Sequence, residues 1–263
     1  MAAKARPKFR WRRWLAVAAG CALFVTSVWA AREAHHYVLG DAQFRLPGEA
    51  RNAVTLEGVR YVSRWKVLRV FTPDYGRSVF AVPLDERRRR LLAVDWVEDA
   101  TVSRVWPNHL LVRVTERKPV AFVSLPLRGG STSRFLLVDA QGVLLDPPPR
   151  GQFTFPVLTG LTDDQTDSER RVRVRAMMNL MADLGQSGQI VSEVNAADPE
   201  NLVVMAQVEG RPLELKMGDG NYAKHLQSFL LHYPEIRARA GSATTFDLRL
   251  DDRITAEEPP SAK

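Results

Sequence analysis

Thiols are almost missing from this chain: Cys21 is the only cysteine among 263 residues. It lies inside an apolar run, so the rest of the protein folds without disulfides even in an oxidising compartment. Surplus charge is missing too, despite a formal +7. Setting aside the six basic residues before residue 14 leaves 31 basic against 30 acidic ones. There is no basic body to hold nucleic acid. Signatures of catalysis are also lacking: no H-E-x-x-H, G-x-S-x-G, P-loop or dinucleotide-binding glycine pattern occurs. No internal repeat is visible, and about 230 residues beyond the apolar run suit two modest domains.

What the chain does have is a charge-free stretch, residues 14–31, preceded by Lys4, Arg6, Lys8, Arg10, Arg12 and Arg13 and by no acidic residue. As a helix rising about 1.5 Å per residue it is roughly 27 Å long, close to a bilayer core of about 30 Å. Leu15, Val17, Leu23, Phe24, Val25 and Val28 favour insertion, and Trp14 and Trp29 stand where indoles settle at headgroup level. Basic flanks stay cytoplasmic, so the expectation is a single anchor with residues 1–13 inside and the bulk outside. Other uses of the run stay open. Val28 and Ala30 suit a secretory cleavage site, although the stretch exceeds the usual apolar core of about 7–15 residues. Ala18-Ala19-Gly20-Cys21 looks like a lipidation site, although apolar residues rather than a polar tether follow it. Arg12-Arg13 as a twin-arginine signal lacks a preceding polar residue.

Residues 32–50 are mixed and polar, a linker. Val54, Leu56 and Val59 predict a strand over 54–62, followed by short helices over 63–71 and 84–94 around a turn cluster at 72–76. Alternation over 100–106 and 110–115, joined by Trp106-Pro107-Asn108-His109, predicts a hairpin. The order is strand, helix, helix, strand, strand. Past Lys118-Pro119, strands at 120–125 and 135–138 flank a Gly129-Gly130-Ser131 loop, and Asp139-Ala140-Gln141-Gly142 turns into another strand. Thr166 and Glu169 form a capping box whose helix carries Met177, Leu180, Met181 and Leu184 on one stripe. Strands at 202–208 and 213–217 precede a helix with Tyr222, Leu226, Phe229, Leu230 and Tyr233. In a last strand, 244–252, Phe246, Leu248 and Leu250 point one way and Asp247, Arg249 and Asp251 the other. The class is α+β: a transmembrane helix, a small β-α-α-β-β domain, then a larger mixed α/β domain with a mainly antiparallel sheet.

No catalytic, cofactor-binding or metal-binding residue is expected. His225 and His232 share one helix face, read as half-buried rather than metal-ligating, and the pair His35-His36 reads as interfacial. The methionines at 177, 178 and 181 read as core filler. Arg87 to Arg90 sweep nearly the whole helix circumference, about 100° apiece, so they form no single basic face. Arg87 falls among Leu84, Leu91 and Val94, with its stem expected over the core edge and its head in water. The alternative for the run is contact with anionic headgroups or an acidic partner segment.

Val54-Thr55-Leu56-Glu57-Gly58, Asp95-Trp96-Val97-Glu98-Asp99-Ala100-Thr101-Val102-Ser103-Arg104-Val105-Trp106-Pro107-Asn108-His109-Leu110 and Val114-Thr115-Glu116-Arg117-Lys118-Pro119-Val120-Ala121 resemble a POTRA domain. With Val138-Asp139-Ala140-Gln141-Gly142, Phe155-Pro156-Val157-Leu158-Thr159-Gly160 and Phe246-Asp247-Leu248-Arg249-Leu250, the chain resembles the bacterial FtsQ/DivIB division family over nearly its whole length. Arg87 and Leu250 depart from that pattern, where an apolar and an aromatic residue are usual. The resemblance implies a tail at 1–13, an anchor at 14–31, a linker at 32–50, a POTRA domain at 51–119 and a β domain at 120–254, and the polar, Pro-rich end reads as a disordered tail at 255–263. It implies a non-enzymatic scaffold of the inner membrane and division septum, taking no cofactor, nucleic acid or small-molecule substrate. FtsB and FtsL would be its direct partners and the septal synthases FtsW and FtsI its wider complex. A partner strand would add to the C-terminal edge at Thr245, Phe246, Asp247, Leu248, Arg249, Leu250, Asp251 and Asp252. Edge strands offer free N–H and C=O groups for such pairing. An envelope assembly or secretion adaptor with a POTRA module, and a membrane-anchored cell-wall enzyme, are the alternatives.

Overall fold

The computed structural model describes residues 11–126, 133–239 and 241–257; within the first helix the side chains of 11–17, 34–36, 38 and 39 are outside that description. Residues 1–10, the Gly129-Gly130-Ser131 loop and residues 258–263 lie outside the described residues. The chain divides into two compact units, Met1–Glu116 and Arg117–Lys263.

The first unit opens with α1 (Trp11–Gly40). The helix continues through 32–40, where the sequence predicts a linker. Strong helix formers such as Arg32, Glu33 and Ala34 carry it to Gly40 and Asp41. Asp41 then caps a short 3-10 turn by accepting the Gln43 N–H at 2.8 Å. Leu23, Phe24, Val25, Val28 and Trp29 are all exposed. Successive positions turn by about 100°, so these side chains spread around the helix rather than along one stripe. Among the described residues no helix is long and apolar enough to cross a membrane. The side chains of 14–17 in the expected span, and those of His35 and His36, are outside the description.

Beyond α1 come α2 (Ala50–Ala53), β1 (Val54–Glu57), α3 (Arg64–Arg69), α4 (Leu84–Leu92), β2 (Val97–Val105) and β3 (His109–Glu116). The sheet order is β1-β3-β2, with β1 parallel and β2 antiparallel to β3. Beneath the helices Val67, Phe71, Leu91, Trp96, Leu110 and Val112 are buried. β1 stops at Glu57, not at 62, because Glu116 captures the following backbone. Its carboxylate accepts the N–H groups of Arg60, Tyr61 and Val62 at 2.7, 2.8 and 2.7 Å. Glu116→Ala should cost about 1–3 kcal/mol locally, read as faster amide exchange at 60–62. Unchanged exchange there would refute this anchoring role.

The arginine run divides as helical rotation requires, but Arg87 differs from expectation. Its guanidinium does not reach water. It is 4% exposed and makes a two-pronged pair with the fully buried Asp74, at 2.5 and 2.9 Å. Asp74 lies in the turn before α4, out of reach of any helix-periodicity argument. Arg88 reaches Asp99 and the Ala100 carbonyl, and Arg90 reaches Glu86.

The second unit holds β4 (Pro119–Pro126), β5 (Ser133–Asp139), β6 (Leu144–Leu145), β7 (Val157–Thr159), α5 (Asp167–Leu184), β8 (Val191–Asn195), β9 (Leu202–Val208), β10 (Arg211–Gly218), α6 (Tyr222–Arg239), β11 (Thr245–Asp247) and β12 (Thr255–Glu257). They form one mixed sheet ordered β12-β11-β10-β9-β8-β7-β4-β5-β6. The β4–β7, β7–β8 and β10–β11 pairs are parallel and the remainder antiparallel. Val174, Met177, Leu180 and Leu184 of α5, with Leu226, Phe229 and Tyr233 of α6, share one core with the sheet. The capping box is formed: the Thr166 N–H donates to the Glu169 carboxylate at 2.7 Å, and the Glu169 N–H donates back to Thr166 Oγ1.

One turn fixes α5 against the sheet. Buried Asp139 accepts the N–H groups of Gln141 and Val143 at 3.0 and 2.8 Å, and Arg117 pairs with it at 2.8 Å. This stiff turn presents the Gly142 carbonyl to Arg170 Nε of α5, at 2.8 Å.

Candidate protein-interaction site

The C-terminal rim of the large sheet is assembled from β10, β11, β12 and α6. Thr244 to Leu248 run parallel to β10: the Glu214 N–H donates to the Thr244 carbonyl at 2.8 Å and the Leu248 N–H to the Lys216 carbonyl at 2.9 Å. Phe246 and Leu248 are buried as their alternation predicts, Phe246 lying 5.1 Å from the Phe229 ring. The alternation then fails. Asp247 accepts the Arg249 N–H at 3.0 Å and pairs with its guanidinium at 2.6 Å, bending the chain. Leu250 comes out 48% exposed instead of following Phe246 and Leu248.

Asp251 turns back to α6, where Lys224 Nζ and His225 Nε2 each lie 2.8 Å from its oxygens. Those two contacts, Lys224 first, hold the Asp251 carboxyl below its ordinary range. Arg249 does the same for Asp247. Both stay ionised at neutral pH and act as fixed braces.

After this reversal the chain returns as β12, antiparallel to β11, pairing Thr245 with Glu257, Phe246 with Ala256 and Asp247 with Thr255. Lys216 reaches across β11 to Glu257, at 2.5 Å. Two expectations are thereby corrected. Thr245, Phe246 and Asp247 have strands on both sides and are no edge, and residues 255–257 are a strand rather than a disordered tail. The cause is local: Asp251, Asp252 and Arg253 form the reversal, and Ile254 and Ala256 pack against the core. That apolar alternation after an acidic turn is the signal that could have revealed β12.

The rim's polarity follows from its backbone bonds to β10 and β12. In a parallel strand a residue's N–H and C=O share one side, and Thr244 and Leu248 face β10. Thr245 and Asp247 therefore face β12, where Glu257 and Thr255 answer them. Ala256 is left with its N–H and C=O directed outward. Among the described residues no strand pairs with that side. Beside it a pocket of about 370 Å³ opens between α6 and the reversal, lined by His225, Ser228, His232, Leu250, Asp252 and Ile254 among others. The two histidines share a face, as their spacing predicts. Among the described residues no three side chains are grouped to hold a metal. Of the sequence-designated residues, Leu248, Leu250, Asp251 and Asp252 line this pocket, while Arg249 braces Asp247.

Comparison with known proteins gives two matches in the order of the two units. Residues 51–117 match the POTRA domain, FtsQ-type, and residues 130–249 match the cell division protein FtsQ/DivIB, C-terminal. The chain is 32% identical to cell division protein FtsQ of Koribacter versatilis (strain Ellin345), over 92% of this chain and 70% of that one. It is 21% identical to the FtsQ of Geotalea daltonii, over 92% of this chain and 86% of that one. With that of Actinobacillus pleuropneumoniae serotype 3 it shares 27% identity, over 66% of this chain and 70% of the other. By its domains, their order and a likeness along most of its length, the chain belongs to the FtsQ/DivIB family of cell division proteins.

Proposed function

We propose that this protein is a non-enzymatic scaffold of the divisome, binding FtsB and FtsL directly and linking them to the septal peptidoglycan synthases FtsW and FtsI. The observation that carries the reading is the outward backbone of Ala256 at the end of a nine-stranded sheet. A partner strand adds there through main-chain bonds, and its side chains draw selectivity from the pocket lined by Leu250 and Asp252. In this reading α1 is the single anchor in the inner membrane, with the N-terminus cytoplasmic and both domains periplasmic at the septum. Apolar side chains exposed around α1, and the six basic residues before residue 14, support it.

The test uses the outward donor. Ala256→Pro deletes that N–H without breaking a bond to β11, and edge strands accept proline. An unanswered acceptor on the partner should weaken FtsB capture by the full chain about 5- to 150-fold, while thermal unfolding barely changes. Ala256→Val keeps the donor and should bind as the parent does. Undiminished capture by the proline variant would rule out strand addition at this rim.

A further inference from the structure

The first unit carries a concave surface that the reading above does not use. A groove of about 770 Å³ lies between α2 and α3, lined by Val54, Trp65 and Leu68 and by Arg51, Arg64 and Arg69. Its volume is in the range of about 300–1,000 Å³ that accommodates ligand groups. Trp65 is 64% exposed, and the Arg69 guanidinium stacks 4.6 Å from its ring centre.

Several cations elsewhere in this unit are paired internally. Lys66 pairs with Asp95, Arg88 with Asp99, Arg90 with Glu86 and Arg113 with Glu57, while Arg104 binds the carbonyls of Val79 and Val82. Arg51, Arg64 and Arg69 have no acidic partner among the described residues. Three uncompensated guanidinium groups thus surround one apolar hollow. Arginine forks match carboxylates two bonds at a time, and stacking on Trp65 holds one fork in place beforehand.

We infer that this groove receives an acidic peptide segment of a partner protein. Its carboxylates meet Arg51, Arg64 and Arg69, and a large apolar side chain is seated against Trp65 and Leu68. A flat layer of anionic lipid headgroups would satisfy the arginines but leave the hollow unfilled, so the shape favours a peptide. The inference is independent of the sheet rim.

The probe is a fluorescent peptide of alternating glutamate and leucine, titrated against the full chain in neutral detergent micelles. Binding should weaken several-fold as salt rises from about 0.05 to 0.3 M. Arg64→Glu with Arg69→Glu should weaken it about tenfold or more, and Trp65→Ala about fivefold. These residues are exposed, so the variants should keep the parent's melting. No binding of the acidic peptide, or equal binding of a lysine–leucine counterpart, overturns the inference. So does arginine-dependent binding to phosphatidylglycerol vesicles without any to the peptide, which would assign the groove to lipid.

Discussion

Asp74→Ala should destabilise the first unit by about 3–5 kcal/mol, a large part of the 5–15 kcal/mol that holds a typical domain together. The change removes both bonds that Asp74 makes to the Arg87 guanidinium, which is 4% exposed, and leaves it only a 3.3 Å contact with the half-exposed Glu86. That carboxylate, chiefly through its hydrogen bonds, raises the Arg87 pKa above its ordinary value. Without it the guanidinium still does not lose its proton at neutral pH, so a charge is left with its main partner gone. All six tryptophans precede residue 117, so a urea titration followed by tryptophan emission reads this unit alone. The paired change Asp74→Leu with Arg87→Met should restore most of the loss, since apolar groups of similar volume can replace a buried ion pair. A loss below about 1 kcal/mol for Asp74→Ala would show that the pair is solvated and that this account is wrong.

Gly142→Ala should be nearly as damaging to the second unit. Gly142 has φ of +83°, and a Cβ there would stand 2.4 Å from the Asp167 carbonyl oxygen and 2.7 Å from the Arg171 nitrogen. Both obstacles are backbone of α5, so no side chain can swing aside. Left-handed strain of about 1–2 kcal/mol adds to overpacking of about 1–3 kcal/mol. Amide exchange over β5 and α5 should quicken accordingly. The comparison is Gly210, with φ of +76° and nothing within 4 Å of its Cβ position, where alanine should bring the strain alone. Equal effects at the two sites would mean that the turn does not hold α5.

Long patterned elements are legible in the sequence. The β2–β3 hairpin was visible because its apolar residues alternate on both sides of a Pro-Asn turn, and α5 because Thr166 and Glu169 cap it before a four-residue stripe. Short central strands were not. β7 is three residues long and β8 five, and β7 takes parallel neighbours from β4 and β8, distant in sequence, so neither carries enough periodicity to stand out. Arg87 was misread because its partner lies thirteen residues upstream in a turn. At the candidate site, Phe246 and Leu248 were placed correctly by period two. The bend made by Asp247 and Arg249 ended that period, which hid the reversal and shifted the rim to β12.

The described part of that last strand offers little backbone grip by itself. Within Thr255–Glu257 a single residue faces outward, offering one donor and one acceptor. At about 0.5–1.5 kcal/mol net for each bond, those rungs supply at most about 3 kcal/mol. Even millimolar affinity needs about 4.1 kcal/mol. A strand docking there, as proposed, would need adhesion beyond these rungs, and an attachment built from several weak parts can be dismantled piecemeal.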